Sequence, residues 1–315
     1  EAFLAAAAAR LADLSLGSHE LGDTELAALA GAYARAQATH EVAIALVRSA
    51  LHRSPEPLTD SEPSMVHSGA AAALADNGVA DLALFCHSFG LCVPEELGWL
   101  LPRAVAAAGR CSVGDLAKVL PLLASCAGAS TAAAKAVAGA SRRRLPALLE
   151  ATPGTRGSQG GSGAWGRDEL EAAPRLLEAL ALARERDLAV VTGLSWRCLR
   201  LAPRLGLPAV LRVATSLARL GVRQERLLEE LADNLVVRHR RCLTAADAQE
   251  ALWAWTALRV PHAGLAEAVR SCLAAAPPPA SPSEAAVRQQ LLEACASLEA
   301  PPGRAALAPL VAAAR

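Results

Sequence analysis

The sequence predicts an all-α fold, an α-solenoid of about six to seven stacked helical hairpins. Three observations predict it. The composition is 53% hydrophobic with Ala carrying much of that share, and only 3% aromatic, over 315 residues. Such segments suit closely packed helices and suit strands badly. Apolar residues then recur at helical spacing between Gly and Pro punctuation. Finally, the apolar centres of successive first helices recur at similar intervals: Leu82 to Leu116 spans 34 residues, Leu211 to Leu252 spans 41 and Leu252 to Leu292 spans 40. Two helices per period of that size are the signature of a repeat array, and the uneven period argues against tetratricopeptide or ankyrin repeats, whose lengths are strict.

Taken in order, residues 2–16 read as the second helix of a hairpin, and residues 17–23 as a turn. Thr24 is placed to cap a helix reaching residues 33–36, with Leu26, Leu29, Ala30 and Tyr33 at helical spacing. A second helix covers about 40–52, with Val42, Leu46 and Val47 apolar. Residues 54–64 are rich in Pro and acids and read as a loop, followed by a short Ala-rich helix over 65–75. The stretch GVADLALFCHSFG is the next first helix, closed by Gly90. Pro94 opens the partner, PEELGWLLPRAVAAAG, at a position where its missing N–H does no harm. Ser112, with Asp115 three residues on, caps another helix through about residue 124, and its partner runs over about 131–150. After residue 166, helices are expected over 167–183 and 188–200. Two well-formed units follow, LPAVLRVATSLARLGVRQERLLEELADNLVVRHRRC and LTAADAQEALWAWTALRVPHAGLAEAVRSCL, with turns at Gly221 and Pro261. The Pro-rich spacer 277–283 precedes two terminal helices, over about 284–298 and 303–314.

The clearest break is TPGTRGSQGGSGAWG, residues 152–166, which is Gly/Ser-rich with no apolar period. It divides one continuous solenoid into an N-terminal half, 1–151, and a C-terminal half, 167–315. Net formal charge is zero, so no global field draws nucleic acid or an anionic membrane. The distribution is uneven, however. Residues 1–150 hold 11 basic and 15 acidic side chains, residues 151–315 hold 20 and 16, and the span Arg184 to Arg241 holds 12 against 6. Nearly all the cations are Arg, which matches phosphate and stacks on bases better than Lys does. A GC-rich genome would produce the same Arg and Ala enrichment, and both readings stay open.

The two well-formed units carry a resemblance. VLRVATSLARLGV and AQEALWAWTALRVP resemble the first helix of the organellar heptatricopeptide and octotricopeptide repeats of the FAST-kinase-like and RAP-associated families. Leu252-Trp253-Ala254 with Leu258 and Val260 fits that pattern. Ser216-Leu217-Ala218-Arg219-Leu220-Gly221 fits a weaker form, and Asp81-Leu82-Ala83 with Phe89-Gly90 a weaker one still. The chain lacks a visible RAP domain and the Pro-Pro-Pro-Glu-Trp element. The resemblance implies an RNA-associated protein of mitochondria or plastids, and some divergent relatives serve as structural subunits of organellar ribosomes.

Candidate contacts for a polyanion are Arg142, Arg143 and Arg144, then Arg238, Arg240 and Arg241 around His239, with Arg197, Arg200 and Arg204 extending the second group. Both runs sit near the ends of second helices, where the helix dipole favours cations with or without a ligand. In a solenoid such ends line up along one edge, which would form a stripe suited to a phosphate backbone; acidic protein is the other candidate partner. Trp253 and Trp255 lie two apart and cannot share a helix face, so one is expected in the core and the other as an anchor for a base or a partner side chain.

Catalytic signals are poor. The histidines at 19, 40, 52, 67, 87, 239 and 262 show no metal-ligand spacing, and neither a GxGxxG after a strand nor a GxxxxGK[ST] occurs. Cys86 and His87 are neighbours whose side chains diverge on a helix, which speaks against a nucleophile–base pair. The eight cysteines are scattered with no CxxC, as expected of reduced, buried thiols in a reducing compartment. No window reaches the ~18 apolar residues a membrane span needs. The expectation is a non-catalytic protein with no cofactor, no small-molecule substrate and no membrane span. It would serve as a structural subunit of a mitochondrial ribosome, contacting rRNA and neighbouring proteins in the mitochondrial matrix or alternatively the plastid stroma. A protein scaffold without RNA contact is the alternative.

Overall fold

The computed structural model describes residues 23–36, 41–52, 76–128, 130–146, 167–277 and 281–299. These residues form helices and turns, and no strand occurs among them. The helices expected over 2–16, 65–75 and 303–314, the loop 54–64 and the Gly/Ser-rich stretch 152–166 lie outside the described residues. The chain divides into two compact units, Glu1–Arg144 and Leu145–Arg315. The first ends at Arg144, the last residue of the Arg142–Arg144 run.

The first unit contains α1 (Asp23–Ala36), α2 (Glu41–His52), α3 (Asp76–Ser88), the short α4 (Pro94–Leu97), α5 (Leu100–Ala108), α6 (Val113–Cys126) and α7 (Thr131–Gly139), which passes into a π-helical turn, Ala140–Arg144. Here α1 packs on α3 and α3 on α6, while α4 packs on α2 and α7 on α5. The second unit contains α8 (Arg167–Leu182), α9 (Leu188–Leu201) with a 3-10 turn, Ala202–Arg204, then α10 (Leu207–Leu220) and α11 (Glu225–Asn234) with a second π-helical turn, Leu235–His239. It closes with α12 (Ala245–Leu258), α13 (Ala263–Ala275) and α14 (Pro282–Glu299). Within it α8, α10, α12 and α14 pack each on the next, and α9, α11 and α13 do the same beside them.

The cores follow from the periodicity. On α10, Val210, Val213, Ala214, Leu217 and Leu220 are buried at helical spacing, and so are Leu211, Thr215 and Ser216 on its flanks. A helix held between α8 and α12 has little free surface, so its apolar stripe is wide. Thr215 and Ser216 satisfy their hydroxyls within the helix by donating to the Leu211 and Arg212 carbonyls, at 2.9 and 2.6 Å. Trp255 on α12 and Tyr33 on α1 are among the largest side chains fully out of solvent. Ser112 caps α6 as expected, accepting from the Asp115 N–H at 3.2 Å, and Thr244 completes a reciprocal capping box with Asp247 on α12.

Among the described residues, four helices end alike. After α10, Gly221 takes a left-handed conformation (φ 65°), its N–H donating to Ala218 O and that of Val222 to Leu217 O. This paired closure satisfies carbonyls that a helix end leaves without partners. Gly90 after α3, Arg184 after α8 and Arg259 after α12 are likewise left-handed and close the same two bonds. The second unit's closures at Arg184, Gly221 and Arg259 are thus 37 and 38 residues apart. That register corrects the spacing taken from leucines, because Leu211 lies near the start of α10 whereas Leu252 lies past the middle of α12.

Gly98 explains a second difference. PEELGWLLPRAVAAAG reads as one helix, yet it breaks between α4 and α5. There Gly98 has φ +47°, and a Cβ on it would run into the Leu51 carbonyl oxygen of α2. Close backbone approach, not helix propensity, decides this turn.

Among the described residues, many polar links between elements span 29 to 37 residues. Arg110–Asp76 (34 residues apart), Lys118–Asp81 (37), Arg144 to Ala108 O (36), Arg238 to Pro203 O (35), Arg240 to Ser271 (31) and His262–Asp233 (29) are examples. Arg48–Glu96 spans more, with residues 53–75 between the partners. No helix among the described residues is long and apolar enough to cross a membrane.

Candidate nucleic-acid interface

The candidate arginines fall into two groups, one in each unit. In the first, Arg142, Arg143 and Arg144 occupy the π-helical turn that widens the end of α7. Arg142 and Arg143 are exposed and Arg144 is half-buried. The Arg144 guanidinium donates to Ala108 O and Cys111 O, both at 2.6 Å. At this end of α5, Ala106 O accepts the Gly109 N–H, and Ala107 O accepts those of Arg110 and Cys111. Arg144 supplies the partner for the next carbonyl in the series, a role the planar fork of Arg fits.

The second group repeats this device. The π-helical turn Leu235–His239 ends α11, and Arg238 donates to Pro203 O in the 3-10 turn after α9. Buried Asn234 donates from its Nδ2 to the Ala202 and Leu205 carbonyls, and His239 Nε2 lies 3.3 Å from Leu205 O. Arg240 donates to Ser271 Oγ of α13 at 2.7 Å. Arg144 and Arg238 thus both lie on π-helical turns and grip the carbonyls of a neighbouring helix end, while Arg240 and Arg241 follow the second turn. Each such turn carries one surplus residue per ring, a geometry that re-aims side chains and that recurs at functional sites.

Other cations of the basic region are neutralised nearby. Arg212 pairs with Glu178 at 3.0 Å and Arg223 with Glu225 at 2.7 Å. Arg200, Arg204 and Arg241 are exposed and pair with no carboxylate among the described residues, and Arg197 is half-buried. No acidic residue occurs from Leu188 to Arg204, or from Leu235 to Ala246. The bond from Arg238 to Pro203 joins these two acid-free stretches at one edge of the second unit. That bond brings Arg204, next to Pro203, beside the end of α11, with Arg240 and Arg241 following Arg238 in the chain and Arg200 one turn before Arg204.

The two tryptophans separate. Trp255 is fully buried with its indole N–H among the buried groups that have no partner, and Trp253 is half-buried on α12. The aromatic that stands out is Trp196, which is 57% exposed on α9 between the basic residues and the apolar Leu188. Helical periodicity hides it, because a Trp in an apolar helix reads as core. The available signal was Arg200 four residues on, in a helix with no acid.

Chemistry elsewhere is sparse. Ser125 Oγ lies 3.3 Å from His87 Nδ1, but that hydroxyl donates to Pro121 O at 2.9 Å. Burial pushes the Cys86 and Cys198 thiols up to about 12, and that of Cys126 up to about 11, so these sulfurs are protonated at neutral pH. All eight cysteines are free, and Cys242 is the exposed one. Among the described residues, no group of three or more His, Cys, Asp or Glu side chains is placed to hold a metal ion.

No protein-family model matches the chain, and no curated protein matches it.

Proposed function

We propose that the chain is a non-catalytic, RNA-associated helical-repeat protein of the heptatricopeptide and octotricopeptide kind, each unit being a solenoid segment of stacked helix pairs. It serves as a structural subunit of a mitochondrial ribosome, touching rRNA and neighbouring proteins in the mitochondrial matrix or alternatively the plastid stroma. The observation that carries the reading is the basic edge of the second unit, where Arg200, Arg204 and Arg241 stand exposed without carboxylate partners. An edge whose two contributing stretches, 188–204 and 235–246, hold no acid attracts phosphate through counterion release rather than sequence readout. Support for the solenoid form comes from the row-wise packing, the matching helix ends 37 and 38 residues apart, and the polar links of similar span.

The second reading is a protein scaffold of a large organellar complex without RNA contact. The zero net charge and the exposed Leu188, Trp196 and Val237 favour it. Filter binding to rRNA at two salt concentrations tests the first reading. The expected result is salt-sensitive binding that falls strongly in the triple variant Arg200→Glu, Arg204→Glu, Arg241→Glu. These positions are better targets than Arg144 and Arg238, whose replacement would also release backbone carbonyls. Binding that ignores both salt and the charge reversals overturns it in favour of the scaffold.

A further inference from the structure

We propose that the exposed face of α9 around Trp196 is a stacking platform for an unpaired RNA base, with the flanking arginines holding the adjoining phosphates. The inference rests on the RNA-associated reading above and narrows it to single-stranded RNA.

An indole 57% exposed is unusual for so large an apolar group, and α9 does not lack a core to put it in. Its neighbours Ser195 and Cys198 are buried, so the helix is docked and Trp196 is on the side left outward. The ring makes no aromatic or cation–π contact among the described residues, unlike Trp99, over which Arg103 lies at 4.9 Å. One face is therefore open to a ligand. Arg200 is one helical turn on, about 6 Å along the axis, and Arg204 follows in the 3-10 turn. Beyond it, the bond from Arg238 to Pro203 O brings up the second π-helical turn, where Val237 is 81% exposed, and Arg241, two residues past that turn, pairs with no carboxylate among the described residues.

The surface thus offers one flat aromatic, then a run of cations, with no acid in either contributing stretch. Charge complementarity selects an anionic occupant, and the isolated indole selects one with a planar face. An acidic peptide satisfies the first requirement and leaves the indole idle. A base-paired duplex hides its base faces, whereas an unpaired nucleotide presents a π-face and a phosphate together. Stacking of this kind tolerates any base, so little sequence preference is expected.

The test uses the full chain and three fluorescein-labelled probes: a single-stranded RNA decamer of mixed sequence, an RNA duplex, and an oligoglutamate peptide. Fluorescence anisotropy is compared for wild type, Trp196→Ala, Trp196→Phe and the exposed control Leu188→Ala. Trp196→Ala is expected to weaken decamer binding about tenfold or more, with duplex affinity unchanged. Trp196→Phe should keep most of the binding, and Leu188→Ala nearly all of it. The proposal is overturned if Trp196→Ala binds the decamer like wild type, if it weakens decamer and duplex alike, or if only the oligoglutamate responds to it. RNA binding that depends on Arg200, Arg204 and Arg241 but not on Trp196 removes this inference alone. No RNA binding by wild type removes the broader reading with it.

Discussion

Replacing Arg144 by Ala takes both guanidinium bonds from the end of α5, leaving the Ala108 and Cys111 carbonyls to find water in a half-buried site. A hydrogen bond with one charged partner contributes about 1.5 kcal/mol or more when shielded. With two such bonds, discounted for the partial exposure of Arg144, the loss is about 2 kcal/mol. At about 2.1 cal/mol/K of unfolding entropy per residue, a chain of 315 residues loses about 1.5 °C of melting temperature per kcal/mol, so a shift of roughly 3 °C is expected. Arg143→Ala is the control, since that side chain is exposed on the same turn; surface changes of this kind fall within about 0.5 kcal/mol. Arg144→Lys keeps the charge but not the fork and should recover only part of the loss. Thermal unfolding followed by far-UV circular dichroism gives the shift. Hydrogen exchange read on peptides covering α5 and α7 shows whether the damage is local. If Arg144→Ala and Arg143→Ala melt together, or if α5 keeps its protection in Arg144→Ala, the clamp does not stabilise this junction.

Two further outcomes are expected. Arg259→Gly should stabilise the chain by about 0.5–1 kcal/mol, because Arg259 holds a left-handed conformation (φ 55°) that glycine adopts without steric cost; a lowered melting temperature would show that the Arg259 side chain contributes more than the backbone strain costs. The hydrogen bond and charge of Arg110 hold the Asp76 carboxyl below its ordinary 3.8, so its contribution to stability is present above that value and lost as pH falls through the lower folded value. The melting-temperature gap between wild type and Asp76→Asn should therefore close in strong acid and shrink in molar salt, and a gap independent of pH would refute the pairing.

Much of the local structure was legible because it depends on neighbours in the chain. The cap at Ser112, the helix stops at Gly90 and Gly221 and the separation of Trp253 from Trp255 all follow from spacing over a few residues. What escaped depends on partners further away. The break at Gly98 is set by the Leu51 carbonyl, and nothing within PEELGW announces it. Two of the helix stops are arginines, at Arg184 and Arg259, so the glycine signal was missing and the period was misplaced by a few residues. The Arg runs were found, but the cause for Arg144 and Arg238 lies in carbonyls 36 and 35 residues upstream. Trp196 was overlooked because exposure is settled by which side of α9 meets α8 and α11.

The short reach of the polar links has a consequence for how such a chain ages. With Arg110 answering to Asp76, Lys118 to Asp81 and Arg240 to Ser271, each helix pair is constrained by its immediate neighbours and by little else. Effects of substitutions at well-separated sites add rather than compound, so one junction can drift while the next stays intact, and compensation never has to travel the length of the molecule. Divergence then accumulates unevenly, pair by pair. A chain built this way can lose the sequence similarity between its own helix pairs long before it loses its helices.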